Sequence, residues 1–310
     1  MEKQEFNVMG PFIWILVITA GIILTAIIVY GILCLIEPHK HIVTHVTLAK
    51  NQASSGGKIR LKCGEEVYKI RDDIPSRDNG IRIFFFSDIH IETCFISAEK
   101  ICRHIEEEHG SKPLDAVIFG GDIVTFGNTQ AKGYRYLKKI SDTCSTLGIP
   151  FLAVTGNHDT ELPDQEVSRE CSMELIEGTY KIINCASGAS FVLCGIDDSG
   201  RENRVWYPMP EVPAELPVIL IAHDPDSILH TGDRLPDYML SGHTHGGQLK
   251  LPFGLRIAPR HKNELPSAGI VAGAYSYRSC TFYISRGIGC GYLPIRFGSV
   301  PEITVLDILP

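Results

Sequence analysis

The sequence predicts an α/β fold preceded by one membrane-spanning helix. Two patterns in the 310-residue chain lead to this prediction. Residues 11–36 form an uninterrupted apolar run, and residues 81–154 alternate short apolar runs with longer amphipathic stretches. Strands that alternate with helices indicate a layer of helices against a largely parallel sheet. The second half of the chain is richer in strand patterns than in helical ones, which predicts a second sheet packed on the first in one domain.

The apolar N-terminal segment is best explained as an uncleaved membrane anchor. Residues 6–36 contain no Asp, Glu, Lys, Arg or His, and the apolar run exceeds the roughly 20 residues that span a bilayer. A signal peptide would need a basic start and an apolar region of about 7–15 residues. Here Lys3 is outweighed by Glu2 and Glu5. We therefore expect a tail over residues 1–10 and a transmembrane helix over residues 11–36.

Charge and cysteine usage favour a cytoplasmic location, at a cell membrane, for the domain that follows the anchor. Only Lys3 precedes the anchor, whereas Lys40 and Lys50 follow it, and basic residues are enriched on the cytoplasmic side. None of the ten cysteines forms a Cys-x-x-Cys pair, and reduced thiols are typical of the cytoplasm. An extracytoplasmic domain is the alternative. The net charge of −7 argues against nucleic acid as a partner.

Residues 37–80 are predicted to be a linker with leading strands, and residues 81–310 the main domain. Alternation of apolar and polar residues predicts a strand over 41–48, and a second strand is expected over 58–62. Polar, glycine-containing segments predict loops over 51–58 and 72–80. From residue 81 onwards, strands are expected over 81–86, 116–119 and 150–154, with helices over 97–109 and 134–147.

Later strands are expected over 180–183, 191–196, 218–221, 238–240, 281–284 and 302–306, and helical segments over 167–177 and 226–230. Residues 251–262 mix apolar and basic side chains. This pattern fits either a loop that skims a lipid headgroup layer or an ordinary loop over the core.

Five short blocks combine carboxylate, imidazole and amide side chains at the ends of the predicted strands. They are Ser87-Asp88-Ile89-His90, Gly120-Gly121-Asp122, Thr155-Gly156-Asn157-His158-Asp159, Ala222-His223-Asp224 and Gly242-His243-Thr244-His245. Ligands of open α/β sheets bind beyond the carboxyl ends of the strands. The Asp, His and Asn set excludes a thiolate site and suits zinc, iron or manganese better than magnesium or calcium. Two metal ions would need a bridging carboxylate, for which Asp122 is the candidate.

These blocks, in this order, resemble the signature of the calcineurin-like metallophosphoesterases over about residues 81–308. The motifs that carry the resemblance are Asp88-x-His90, Gly121-Asp122, Gly156-Asn157-His158-Asp159, His223 and Gly242-His243-x-His245. The resemblance implies a four-layer αββα sandwich. The anchor, residues 243–248 and residues 285–289 further resemble the membrane-anchored bacterial branch of the family. That branch includes phosphodiesterases and enzymes of the UDP-2,3-diacylglucosamine hydrolase type.

The resemblance also implies roles for nine residues and a cofactor of two divalent metal ions, Mn, Zn or Fe. Asp88, His90 and His245 would hold one metal, and Asn157, His223 and His243 the other, with Asp122 bridging. His158 would stabilise the transition state or protonate the leaving group, and Asp159 would orient its ring. A water molecule that bridges the metals, its pKa lowered, would be the nucleophile.

The implied activity is hydrolysis of a phosphodiester or pyrophosphate bond, and the anchor makes a lipid-linked substrate attractive. One alternative is an exported phosphodiesterase that acts on cell-wall or extracellular phosphoesters. Another is a non-catalytic scaffold, which would be expected to lose ligands or His158. Arg286 lies between a predicted strand and a Gly-x-Gly turn. It could bind a substrate phosphate as a bidentate partner or form a structural ion pair.

Overall fold

Two β-sheets that pack face to face form the centre of the computed structural model. It describes residues 9–50, 57–70, 80–126, 128–159, 162–196, 207–213, 215–232, 234–250, 256–257 and 263–309. The first part of the chain contains α1 (Met9–Ile36), β1 (Ile42–Ala49), β2 (Lys58–Arg60), β3 (Glu66–Lys69), β4 (Ile81–Phe86), α2 (Ala98–Ser111), β5 (Ala116–Phe119), α3 (Gln130–Leu147), β6 (Phe151–Ala153), α4 (Asp164–Cys171) and β7 (Glu174–Leu175).

The remaining part contains β8 (Tyr180–Asn184), β9 (Ser190–Gly195), β10 (Val218–Ile221), β11 (Tyr238–Ser241), β12 (Leu249–Lys250), β13 (Arg256–Ile257), α5 (Glu264–Ser267), β14 (Gly273–Tyr277), β15 (Cys280–Ile284) and β16 (Glu302–Leu309). Short 3₁₀ helices cover Glu37–His39, Pro225–Leu229 and His245–Gly247.

The first sheet has the strand order β1-β16-β4-β5-β6-β7, and the second has the order β2-β3-β14-β15-β11-β10-β9-β8. Strands β4, β5, β6 and β7 run parallel, as do β9, β10, β11 and β15. Strand β1 pairs in parallel with β16, and β2 and β3 pair at the edge of the second sheet. The segment over residues 37–80 therefore contributes strands to both sheets.

The core lies in three apolar clusters that separate the layers. The central cluster joins the inner faces of the two sheets, with Ile83 and Phe85 of β4 on one side and Ile219 and Tyr283 on the other. A second cluster lies between the first sheet and the helices α2, α3 and α4. Because both faces of β4 are covered, every residue of this strand is buried, including the charged Arg82, which pairs with carboxylates.

The predicted α/β fold with two packed sheets is therefore confirmed. Short helices cover the outer face of the second sheet, where Ile228 and Leu265 pack on it. One predicted helix is partly wrong. It was expected over 167–177, but α4 ends at Cys171 because Ser172 adopts a left-handed conformation with φ 52°, and the following residues form β7. Strands β3 and β14 were not predicted, because neither has a clear apolar alternation.

Helix α1 is long and apolar enough to cross a membrane. All of its side chains from Phe12 to Val29 are exposed. Contact with the rest of the protein begins at Tyr30, whose ring centroid lies 4.6 Å from that of Phe297. One turn later, Cys34 is buried and its carbonyl accepts a hydrogen bond of 3.0 Å from the Arg296 backbone. The loop over 251–262, apart from β13, and most of the predicted loops over 51–58 and 72–80 lie outside the described residues.

Candidate metal centre

All five predicted blocks meet where the parallel strands of the two sheets have their carboxyl ends. The blocks that contain Asp88, Asp122 and Asn157 follow the neighbouring parallel strands β4, β5 and β6 of the first sheet. The blocks that contain His223 and His243 follow the neighbouring parallel strands β10 and β11 of the second sheet. Parallel strands present their carboxyl ends at the same edge, and the packing of the two sheets brings both edges together.

Two groups of ligand-type side chains form at this edge. One contains Asp88, His90 and His245, the other contains Asp122, His223 and His243, and the ligand atoms within each group lie within 4.8 Å of one another. Asp122 lies between the two groups, because its Oδ2 atom is 3.3 Å from His90 Nε2 and 3.1 Å from His223 Nε2. Asn157 joins the second group through its Oδ1 atom, 2.8 Å from His243 Nδ1.

The protonation of His223 fits a ligand that faces a cation. Its Nδ1 atom lies 2.6 Å from the carbonyl oxygen of Gly120. Because a carbonyl oxygen can only accept, Nδ1 carries the proton and the lone pair of the neutral ring is on Nε2. That lone pair faces the Asp122 carboxylate. A histidine that donates one ring N–H to the protein and directs the other nitrogen inward is the usual arrangement at metal sites.

Charge and burial at the centre also fit two cations. The carboxylates of Asp88 and Asp122 are buried, and an uncompensated buried charge is costly. Burial raises the pKa of Asp88. Burial also opposes ionisation of Asp122, but the imidazoles of His223 and His90, when protonated, outweigh it and hold the pKa of Asp122 well below its usual range. Divalent cations would neutralise these carboxylates, and an Asp, Asn and His set suits zinc, manganese or iron.

Backbone strain is concentrated at the same residues. Five of the seven predicted ligands have a positive φ, a conformation that is uncommon for residues other than glycine. They are Asp88 (54°), His90 (41°), Asp122 (62°), His243 (68°) and His245 (49°). Such strain costs about 1–3 kcal/mol per residue and clusters at functional sites, where the surrounding structure maintains it.

Two glycines allow the backbone to approach Asp88 closely. A Cβ atom on Gly242 would lie 2.5 Å from Asp88 Oδ2, and one on Gly287 would lie 2.6 Å from Asp88 Cβ. Gly287 also has a φ of +65°. The glycines of the Gly-His-x-His block and of the segment over 285–289 are therefore required by the packing around this carboxylate.

Asp159 has a different structural role from the one expected. Its Oδ2 atom accepts hydrogen bonds from the backbone N–H groups of Asp122 (2.9 Å) and Gly156 (3.0 Å), and Oδ1 accepts one from Ile123 (2.8 Å). The predicted contact with the His158 ring is thus replaced by a clamp between two site loops. The reason is that the turn after β6 directs this side chain back toward the loop that follows β5.

His158 lies beside the two ligand groups and belongs to neither. Its backbone N–H donates to Asp122 Oδ1 over 2.9 Å, and its ring Nδ1 is 3.4 Å from the carbonyl oxygen of Thr125. The ring centroid is 5.0 Å from that of His90 and 5.3 Å from that of Tyr292. Burial lowers the pKa of His158. The neutral ring is therefore favoured at neutral pH, and its protonated form is a stronger acid than an exposed histidine.

Arg286 forms an ion pair in the structure. Its Nη1 atom lies 3.3 Å from Oε1 of the buried Glu302, and its backbone N–H donates to Oε2 of the same carboxylate. The Arg286 side chain is 30% exposed. Of the two roles considered for this residue, the structure favours the ion pair.

The sequence did not indicate the role of Arg296, which is fully buried next to His245. Its Nε atom donates to the carbonyl of Gly289 and Nη1 to that of Ser299, both over 3.0 Å. Its Nη2 atom lies 3.2 Å from His245 Nδ1. Ser299 in turn donates to the His245 carbonyl. The only sequence signal is an arginine between Ile295 and Phe297, which by itself does not distinguish a buried arginine from an exposed one.

Comparisons with known proteins agree with this geometry. A family described as calcineurin-like phosphoesterase matches residues 81–247. The chain is 31% identical over 243 residues to the uncharacterized metallophosphoesterase YkuE of Bacillus subtilis, with 76% of this chain and 81% of the relative covered. It is 29% identical over 248 residues to the phosphodiesterase YaeI of Escherichia coli, with coverage of 75% and 84%. A shorter match, 37% over 99 residues and 30% of each chain, is to the UDP-2,3-diacylglucosamine pyrophosphatase LpxG of Chlamydia trachomatis.

Proposed function

The chain belongs to the calcineurin-like phosphoesterase family and is a phosphoester hydrolase, and we propose that it is a membrane-anchored enzyme with a dinuclear metal centre. It would hydrolyse a phosphodiester or pyrophosphate bond of a lipid-linked substrate. The observation that carries this proposal is the position of Asp122, a buried carboxylate between two groups of ligand-type side chains.

Seven side chains would hold the two cations. Asp88, His90 and His245 would bind one, and Asn157, His223 and His243 the other, with Asp122 shared. When bound, the cations would polarise the phosphoryl oxygens and lower the pKa of a water molecule. The protein orients two of these side chains without metal, because Nδ1 of His223 is hydrogen-bonded to Gly120 and Nδ1 of His90 to Thr125.

His158 is proposed to donate a proton to the leaving group. Its ring is next to the ligand groups, and the contact of Nδ1 with the Thr125 carbonyl leaves Nε2 as the atom that would transfer the proton. Its lowered pKa makes the protonated ring a stronger proton donor. It also means that a smaller fraction of the protein carries a protonated His158 at neutral pH. Asp159 supports both His158 and Asp122 indirectly, because it clamps the loops that carry them.

The proposed location is a cell membrane, with the catalytic domain on the cytoplasmic side. A helix whose side chains from Phe12 to Val29 are all apolar or small and exposed would be unstable in water, which supports a membrane span for α1. All ten cysteines are free, and eight of them are buried. Unpaired cysteines in this number support a reducing compartment. Protease digestion of the catalytic domain on intact cells would overturn this orientation.

The proposed substrate is a lipid-linked phosphoester or pyrophosphate and not a nucleic acid. The partial match to a pyrophosphatase of a diacylated nucleotide sugar supports an amphiphilic substrate, as does the anchor. The net charge of −7 supports the exclusion of nucleic acid as a partner.

Turnover of a substrate panel tests the proposal. Full-length protein in detergent is stripped of metal, supplemented with Mn²⁺, Zn²⁺ or Fe²⁺, and assayed on a monoester, a diester, a pyrophosphate and a lipid-linked nucleotide. We expect no turnover without metal and restored turnover of the diester or pyrophosphate with it.

Asp122→Asn serves as the matched variant for this assay. It should bind less metal and lose activity, because the carboxylate between the two groups is removed. Turnover by the stripped protein, or a metal-replete and active Asp122→Asn variant, would contradict the dinuclear centre.

A further inference from the structure

Three exposed apolar side chains form a rim beside the candidate metal centre, and we propose that this rim docks on the surface of the bilayer that holds α1. The apolar rim consists of Phe126, Tyr292 and Leu293, which are 52%, 60% and 60% exposed. This inference rests on the proposed function, because it requires α1 to span a membrane.

The apolar rim is part of the mouth of the site. The Tyr292 ring centroid is 5.3 Å from that of His158 and 6.3 Å from that of Phe126. A Cβ atom on the neighbouring Gly291 would lie 3.5 Å from His245 Nε2. Tyr292 also has a positive φ of 35°, an unfavourable conformation for an aromatic residue. The chain therefore holds a large apolar side chain outward at the entrance to the site.

The loop that carries Tyr292 and Leu293 of the apolar rim is fixed against the end of α1. Within this loop, Arg296 donates its backbone N–H to the Cys34 carbonyl, and Phe297 packs on Tyr30. The side chain of Gln248 holds the same loop, because its Nε2 atom lies 3.1–3.2 Å from the carbonyl oxygens of Gly291, Leu293 and Ile295. Tyr292 and Leu293 of the apolar rim are thus joined to the end of α1 through a hydrogen-bonded loop.

The length of the exposed part of α1 places this junction at the membrane boundary. From Phe12 to Val29 the helix extends about 27 Å at 1.5 Å per residue, close to the roughly 30 Å hydrocarbon thickness of a bilayer. Tyr30, the first residue that contacts the domain, then lies at the level of the headgroups. Side chains on a loop attached at that level can reach the interface without any movement of the domain.

The surface next to this junction has the charge expected for anionic headgroups. A cavity of about 470 Å³ is lined by Phe95, by the basic side chains of Lys132, Arg135 and Lys139, and by one carboxylate, Glu99, which pairs with Lys139. Phe95 is itself 43% exposed, and its ring centroid is 4.0 Å from that of His39, just beyond the end of α1. Apolar side chains bordered by basic ones at this height are typical of surfaces that bind an anionic bilayer.

Docking of the apolar rim has a consequence for the substrate class. The entrance beside His158 would open onto the bilayer surface, where the phosphate of a membrane amphiphile lies. Such a substrate could place its phosphoester or pyrophosphate at the metal centre while its acyl chains stay in the bilayer. The structure therefore points to an interfacial hydrolase of amphiphilic phosphoesters.

Fluorescence quenching by brominated lipids tests the docking directly. Trp14 and Trp206, the two tryptophans of the chain, are replaced by Phe, and Leu293→Trp is added in the full-length protein. The protein is reconstituted into phosphatidylcholine and phosphatidylglycerol vesicles, and flotation verifies insertion. Lipids brominated on the upper acyl chain should quench the indole at position 293, which is expected about 5–10 Å below the headgroup boundary.

Ile182→Trp is the matched control, since Ile182 is 45% exposed on β8, the strand at the opposite edge of its sheet from β2. Its indole should not be quenched. Phe126→Trp provides a second probe of the apolar rim. Equal quenching at positions 293 and 182, or none at 293 and 126 in vesicles that float with the protein, would refute the docking.

The outcome is independent of the proposed chemistry, because quenching needs no turnover. Quenching at 293 without metal-dependent hydrolysis would contradict the proposed function alone. Metal-dependent hydrolysis of a soluble diester without quenching would contradict the docking alone. Failure of the protein to float would contradict the membrane span on which the docking rests.

Discussion

Replacement of Asp159 by Asn distinguishes the two roles that sequence and structure give this residue. If Asp159 orients the His158 ring, the substitution should lower turnover and leave stability and metal affinity largely intact. If Asp159 clamps the loops that follow β5 and β6, it should destabilise the protein and weaken metal binding. The structure supports the second role, because both carboxylate oxygens accept backbone N–H groups.

The expected magnitude follows from these hydrogen bonds. The amide of Asn has one accepting oxygen, so at least one bond is lost and an NH₂ group faces a buried N–H. Burial raises the pKa of Asp159 to about 7, so the carboxylate is ionised above that pH. There a hydrogen bond to the charged group contributes about 1.5–3 kcal/mol, and the orphaned donor adds a desolvation cost. We expect a loss of about 3–5 kcal/mol in the free energy of unfolding. For a domain of this size that corresponds to a decrease in Tm of roughly 10–15 °C.

Metal affinity should fall about 10–100-fold, the range typical for residues that position metal ligands. Thermal unfolding of the stripped protein and competition with a fluorescent chelator measure the two quantities. Asp226→Asn is a matched control, because this buried carboxylate accepts from the backbone of Glu264 and Leu265, outside the metal centre. It should lower Tm but leave metal affinity unchanged. An Asp159→Asn protein with normal Tm and metal affinity but low turnover would refute the clamp.

Three further predictions concern the site and the anchor. His158→Ala should keep a normal metal content while turnover falls about 10²–10⁴-fold, and loss of metal would show that His158 is a ligand. Gly287→Ala should reduce metal binding, because its new Cβ atom would collide with the carboxylate of Asp88. Gly188→Ala, also at positive φ but with open space around it, should leave metal binding unchanged. Equal metal affinities of the two variants would contradict the steric argument. Deletion of residues 1–29 should leave Tm near that of the full chain, whereas deletion of residues 1–36 also removes the turn that packs on the domain and should lower Tm by about 5 °C. Identical Tm values for the two truncated proteins would show that this contact contributes nothing.

The elements predicted most accurately from sequence are those buried on both faces. Strands β4, β5 and β10 have the predicted bounds, because a run of mostly apolar residues leaves little freedom in where a buried strand begins and ends. Prediction failed where the local pattern was weak. The residues after Cys171 resemble a helix, yet they form β7, since Leu175 pairs with Ala153 of β6. That pairing is a tertiary interaction, and local periodicity cannot reveal it.

Some residues of the site could be predicted from the sequence and others could not. The sequence identified ligand-type residues because each block places a carboxylate, imidazole or amide beside a glycine or at the end of a predicted strand. It could not identify Arg296, since burial of a single arginine depends on what packs around it. The family resemblance also implied that Asp159 orients the His158 ring, whereas both of its carboxylate oxygens accept backbone N–H groups in the structure. Adjacent residues on an extended or turning chain point in different directions, and only the fold determines which partner each side chain reaches.

The sequence by itself determined the two-sheet α/β class, the apolar helix at the N-terminus and the family to which the chain belongs. These depend on local composition and on the order of short motifs, which the chain carries whether or not it is folded. Only the tertiary structure decided which ligand-type side chains lie on each side of Asp122, that Asp159 and Arg296 contact the loops around them, and that Tyr292 and Leu293 lie on a loop that contacts the end of α1. The physical reason is that these properties depend on distances between residues far apart in sequence, and the packing of the two sheets sets those distances.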